Sequence, residues 1–150
     1  MNKSNLANRL PTTIGLVIVG LTAIGAVVAM ALDLSSSFVV GAAQSGDLGL
    51  EVFWEGSAIS APFPPIVVIA IGIVLALRTG KAHTAGFVLL ALAGAVMLLG
   101  VVGEFSGDTA FGGFRQGLFV LFNALYGTLA IALIVSSLLA IFRRDVYATA

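Results

Sequence analysis

Four long apolar stretches, separated by short polar ones, dominate the chain. The first runs from Thr12 to Leu32, with no charge between Arg9 and Asp33. The others lie over Pro62–Leu77, Ala82–Gly103 and Gly117–Phe142. A bilayer core about 30 Å thick takes roughly 20 apolar residues as a helix. Runs this long and uninterrupted do not suit barrel strands, and in hydrocarbon the backbone must satisfy its own hydrogen bonds. The pattern therefore predicts an all-α integral membrane protein, a bundle of four transmembrane helices in a single domain over residues 1–150.

The first helix is expected to start at Pro11, because the N–H that proline lacks has no partner in a first turn anyway. The second is awkward. Pro62, Pro64 and Pro65 crowd its start, and a residue preceding proline avoids the α region. From Pro64 only about 14 residues remain, or ~21 Å. Either the bilayer thins there, or Ile59–Phe63 enters as non-helical chain shielded by the other helices.

Composition supports the membrane assignment. Of 150 residues, 59% are hydrophobic and 9% charged, against the roughly 25% charge of soluble domains. That excludes a cytosolic globule, a disordered chain and a nucleic-acid partner. Cysteine is absent, which removes disulfides, thiolate metal sites and dithiol chemistry.

Charge placement then predicts orientation. Four crossings put Lys3, Arg9, Arg78, Lys81, Arg143 and Arg144 on one side, with Asp145. Asp33, Asp47, Glu51, Glu55, Glu104 and Asp108 fall on the other, with Arg115. Basic short loops stay cytoplasmic, so both termini are expected inside, at the plasma membrane. The formal net charge of zero is thus a cancellation between two oppositely charged faces. Residues 1–31 also have the parts of a signal peptide, with Ala29-Met30-Ala31 as its cleavage site. The apolar run outlasts a usual h-region, which favours a retained first helix.

The outer segment between the first two helices has about 29 residues, Asp33–Ala61. Ser37–Gly41 and Leu50–Trp54 are β-prone and suit either a surface hairpin or interfacial turns with Trp54 at headgroup depth. Gly25-Ala-Val27 and Gly94-Ala-Val96 give a weak internal echo, better read as chance similarity between apolar helices.

Small residues mark candidate packing surfaces, because membrane helices associate by close backbone approach. Ala124, Thr128, Ala132, Ser136 and Ala140 recur every four residues. Gly113 and Gly117 form a GxxxG, and Gly25 with Ala29 and Ala91 with Ala95 extend the set. Packing inside one bundle is the plainer account, and a face for a partner helix the sharper one. Eight of ten phenylalanines lie in the outer half or outer loops. Phe119, Phe122 and Tyr126 share a helix face beside Asn123. They suit core packing or a greasy groove for a lipid, quinone or pigment.

Catalytic chemistry is scarce. His83 is the sole histidine, expected to snorkel at the cytoplasmic surface, and cannot supply paired haem ligands. Thr79-Gly80-Lys81 lacks a preceding glycine-rich loop, and no Ser/His/Asp set or HExxH occurs. Glu104 and Asp108, with Asp33, could face hard cations, but read as solvated loop acids. No ionisable group is expected at membrane depth, which argues against proton coupling. Small multidrug exchangers carry a glutamate in helix one that is missing here, and claudin-like proteins have loop cysteines that are missing too.

Two functions remain. One is a non-catalytic accessory or assembly subunit, docking through small-residue helix faces and its Phe-rich outer half on a larger membrane complex, on other membrane proteins or on itself. The other is a small transporter or channel component for a neutral or lipidic substrate, its path lined by Asn123, Thr128 and Ser136.

Overall fold

The computed structural model of the chain describes residues 3–32, 34, 56–106 and 112–148, with side chains over 9–32, 34, 56–106 and 112–142. The Ser37–Gly41 and Leu50–Trp54 runs, and Asp33 and Asp108, lie outside those residues. Four helices are present: α1 Lys3–Leu32, α2 Phe63–Ala76, α3 Lys81–Ser106 and α4 Phe114–Ala148. No strand occurs among the described residues; an isolated antiparallel bridge joins Ser57 and Ser60.

Three segments are long and apolar enough to cross a membrane: Arg9–Leu32, Lys81–Ser106 and Phe114–Phe142, of 24, 26 and 29 residues. α2 has only 14. At 1.5 Å per residue it rises about 21 Å, short of a ~30 Å hydrocarbon core.

The helices form a ring in which α1 packs on α4, α4 on α3, α3 on α2, and α2 more lightly on α1. The inward positions follow a period near 3.5. On α1 they are Pro11, Gly15, Ile18, Gly25 and Ala29, with half-buried Thr22 completing the series. On α4 they are Phe119, Phe122, Asn123, Tyr126, Ala130, Leu133, Ser137 and Ala140. Alternating steps of three and four keep one seam facing its neighbours along a slightly supercoiled helix. The outward positions are apolar too, with Leu16, Ile24, Leu99 and Leu139 all about half exposed or more. In a bilayer that exposure carries no aqueous penalty, which is why the composition can afford so few charges.

α1 starts earlier than its proline suggests. The helix begins at Lys3, and Pro11 sits inside it, fully buried. Proline costs the ladder one hydrogen bond. The hydroxyls of Thr12 and Thr13 both fold back onto the Arg9 carbonyl in the same turn, at 2.7 and 3.0 Å. At its other end Leu34 N–H reaches back to the Ala29 carbonyl at 3.0 Å and closes the helix.

α2 and α3 meet at backbone range. A Cβ on Gly86 would lie 2.3 Å from Ala76 N, and one on Gly72 would lie 3.0 Å from Leu90. His83 joins the same corner. Its Nδ1–H donates to the carbonyl oxygen of Ala76, the last residue of α2, and its ring stands edge-on to buried Phe87 at 4.6 Å. A carbonyl can only accept, so Nδ1 carries the proton. The expected snorkelling histidine is instead half-buried and caps a helix end.

Candidate functional site

The feature that sets this bundle apart is the chain leading into α2. Gly56 to Ser60 is non-helical, yet every one of its residues is buried. Buried irregular backbone must pair its polar groups locally, and this segment does. Ser57 N–H donates to Ser60 O at 3.0 Å, and Ser60 N–H to Ser57 O at 3.2 Å. The two hydroxyls bond each other at 2.8 Å, and Ile59 N–H donates to Ser57 Oγ at 3.3 Å. Pro62 then supplies the extended backbone that precedes α2.

Two helices hold this turn. Asn123 of α4 donates one amide hydrogen to the Ala58 carbonyl at 2.7 Å and the other to Phe119 O at 3.0 Å. Gly25 of α1 lets Ile59 approach so closely that a Cβ there would lie 2.2 Å from its carbonyl oxygen. Tyr126 donates to Thr22 Oγ1 at 3.2 Å, which ties α4 to α1 beside the turn. Non-helical chain shielded by helices is therefore the arrangement found where the prolines crowd.

Beside the turn lies a cavity of about 490 Å³. Ser57, Ala58, Ile59, Ser60 and Ala61 form one wall, and Met97, Gly100, Val101 and Glu104 of α3 another. Asn123 and Tyr126 of α4 complete it. Val96 and Leu99 also line it and are 54% and 70% exposed, so the mouth opens on the outer surface of the bundle. The volume is that of a site for a small molecule, and the lining is mostly apolar with a few convergent polar groups.

Glu104 corrects an expectation. It is not a solvated loop acid: α3 continues past Gly103 to Ser106, and Glu104 is only 7% exposed. The signal was present. Leu90, Met97 and Glu104 recur at seven-residue spacing, so extending the core stripe of α3 by two turns places the acid on it. Among the described residues no group of three His, Cys, Asp or Glu could hold a metal ion.

The proposed groove residues divide. Phe119, Phe122, Asn123 and Tyr126 do share an inward face and are all buried. Only Asn123 and Tyr126 reach the cavity. Phe119 packs edge-on against Phe105 at 5.4 Å, and Phe122 lies against Gly25.

The small-residue set divides as well. Gly25 and Ala29 are buried in α1, Ala91 of α3 is half-buried, and Ala95 is exposed. Gly113 is exposed in a left-handed turn at φ 57°, and Gly117 has open space where a Cβ would be. Along α4 the strip turns from outside to inside. Ala124 and Thr128 are exposed, Ala132 half-buried, Ser136 and Ala140 buried. Four residues advance a helix by about 400°, so each step drifts ~40° and the strip winds around α4. It is not one contact face.

The proposed polar path also separates. Thr128 is exposed and bonds the Ala124 carbonyl at 2.8 Å. Ser136 bonds the Leu133 carbonyl at 3.2 Å, while Asn123 faces the cavity. Within one chain the three groups therefore have different surroundings, Thr128 exposed and Asn123 and Ser136 buried.

No protein family, no characterised protein and no solved structure matches the chain.

Proposed function

We propose that this chain is a non-catalytic integral membrane protein that holds an amphiphilic molecule, taken laterally from the bilayer, in the cavity beside the Gly56–Pro62 turn. One observation carries the reading: Glu104, almost wholly buried on an apolar membrane-spanning helix, is on the wall of that cavity. Glu104 stands in the last turn of α3, and a carboxyl group kept out of solvent on an apolar wall is a costly placement. Such residues ordinarily mark a ligand or ion path. The exposed mouth at Val96 and Leu99 lets an apolar body enter from lipid.

In this reading the chain crosses four times with both termini in the cytoplasm. α2 supplies about 21 Å. The Gly56–Pro62 segment continues the path as covered non-helical chain, the condition under which irregular backbone is tolerated at membrane depth.

The test uses Gly100, whose absent Cβ meets nothing within 4 Å and which lines the cavity. Gly100→Leu starts from a Cβ with open space around it and adds bulk to the cavity wall. Native mass spectrometry from lipid nanodiscs should show a retained amphiphile on the wild type and its loss in this variant, with helical content unchanged. A wild type that retains nothing above the bulk-lipid background overturns the reading.

A second reading, an accessory subunit docked on a larger membrane complex, is favoured by the exposure of Gly117, Ala124 and Thr128 on α4. Small residues left at the lipid face are where another helix can approach closely. Stoichiometric co-purification of another membrane protein in mild detergent supports it, and a lone chain under the same conditions sinks it.

A further inference from the structure

The polar groups around the cavity can be counted by what each has left to offer. Asn123 has spent both amide hydrogens, on Ala58 O and Phe119 O, so its carbonyl oxygen is what remains. Tyr126 has spent its hydrogen on Thr22. Ser57 and Ser60 spend one of their two hydroxyl hydrogens on each other, and Ser57 Oγ also accepts from Ile59 N–H. Glu104 puts a carboxyl group on the cavity wall, and an ionised carboxyl group is acceptor-only, with two oxygens that can each take more than one donor. The balance is heavily towards acceptors.

An acceptor-rich corner in an otherwise apolar cavity selects a ligand that brings donors on an apolar body. From this we infer that the cavity is a site for aliphatic amines, with a primary ammonium set between Glu104 and the Asn123 carbonyl oxygen. The inference rests on the amphiphile-binding reading above and narrows it to a headgroup. An ammonium carries three N–H donors and the charge that complements a carboxylate, and charge-assisted hydrogen bonds are about twice as strong as neutral ones. A quaternary ammonium has the charge without the donors. An ester has neither. The aliphatic body lies along Met97, Gly100, Val101 and the Val96–Leu99 mouth. The shared chemistry fits both a single-chain amine and a phospholipid with an ethanolamine head.

The experiment measures binding to the full chain in nanodiscs of pure phosphatidylcholine, whose head lacks N–H donors. The probes are dodecylamine, dodecanol, dodecyltrimethylammonium and methyl dodecanoate, which share one chain length. Dodecylamine should bind at least about tenfold more tightly than the quaternary amine or the ester, with dodecanol between. Glu104→Gln should remove that tenfold preference while leaving the ester unchanged. The probe series on the wild type stands even if the variant folds poorly. Adding phosphatidylethanolamine to the nanodisc identifies the source. Displacement of dodecylamine points to a phospholipid occupant and its persistence to a single-chain amine, and either agrees with the inference. Equal affinity for all four probes, or for the primary and quaternary amines, overturns the inference and leaves the amphiphile reading intact. No binding of any probe overturns both.

Discussion

Asn123 Nδ2 lies 2.7 Å from the carbonyl oxygen of Ala58, a residue 65 positions earlier in the chain. That bond ties the fourth helix to the non-helical turn before the second, with both residues buried. Asn123→Ala leaves the Ala58 carbonyl without its donor. A buried acceptor stripped of its partner costs about 1–3 kcal/mol. A lowered midpoint of thermal unfolding in detergent is the expected result; an unchanged midpoint means the turn is held by its own serine pairing.

Gly25 tests the same joint from the opposite side. An alanine methyl there would meet Ile59 O at 2.2 Å, and backbone cannot rotate away as a side-chain tip can. Overpacking of this kind costs about 1–3 kcal/mol. Gly20→Ala is the control on the same helix, since nothing lies within 4 Å of its position. It should be neutral or gain up to about 1 kcal/mol from helix propensity. Equal effects at the two glycines would contradict the close approach.

Ser137 is fully buried in α4, and its Oγ has no hydrogen-bond partner. Removing an unsatisfied hydroxyl relieves a desolvation cost of about 1 kcal/mol or more. Ser137→Ala should therefore raise the unfolding midpoint, whereas Ser136→Ala, which loses a bond to Leu133 O, should not. A drop at Ser137 would mean its hydroxyl has a partner in the membrane.

The winding strip on α4 predicts opposite outcomes at its two ends. Thr128→Leu adds volume at an exposed position and should leave the stability of the isolated chain unchanged. Ser136→Leu forces a larger side chain into a buried one and should cost about 1–3 kcal/mol. Loss of a co-purifying protein in Thr128→Leu alone would place a partner on the outer end of the strip.

The chain has no cysteine, so single introduced thiols report cleanly. With four crossings, a cysteine replacing Gly112 should react with an impermeant reagent applied outside the cell, and one replacing Thr79 should not. Both positions are exposed. Labelling of both from outside would rule out a membrane crossing between them and overturn the proposed orientation.

The division between sequence and tertiary structure follows from how each kind of information is written. Apolar run length and the lack of charge are local properties, so the sequence alone specified an all-helical membrane protein, the three long helices and the shortness of the second. The Pro62, Pro64 and Pro65 cluster likewise marked where non-helical chain gives way to the second helix, because proline acts on its own φ and on its neighbour, although Phe63, expected to be non-helical ahead of Pro64, is already the first helical residue. Pro11 misled for the opposite reason: a helix can absorb one proline when packing supports it, and packing is not local.

Whether a residue faces the core or the lipid was legible only where the 3.5-residue stripe was followed to its end. It places Glu104 inside, while reading the acid as a loop residue places it in water. The strip at every fourth residue held small side chains but drifted around α4, so its composition said nothing of a shared face. The cavity was beyond the sequence altogether. It is bounded by Ser57 and Ser60, Glu104, and Asn123 with Tyr126, from three separate segments. Their meeting depends on Gly25 admitting the Ile59 carbonyl, a contact between backbones that no pattern of side chains records.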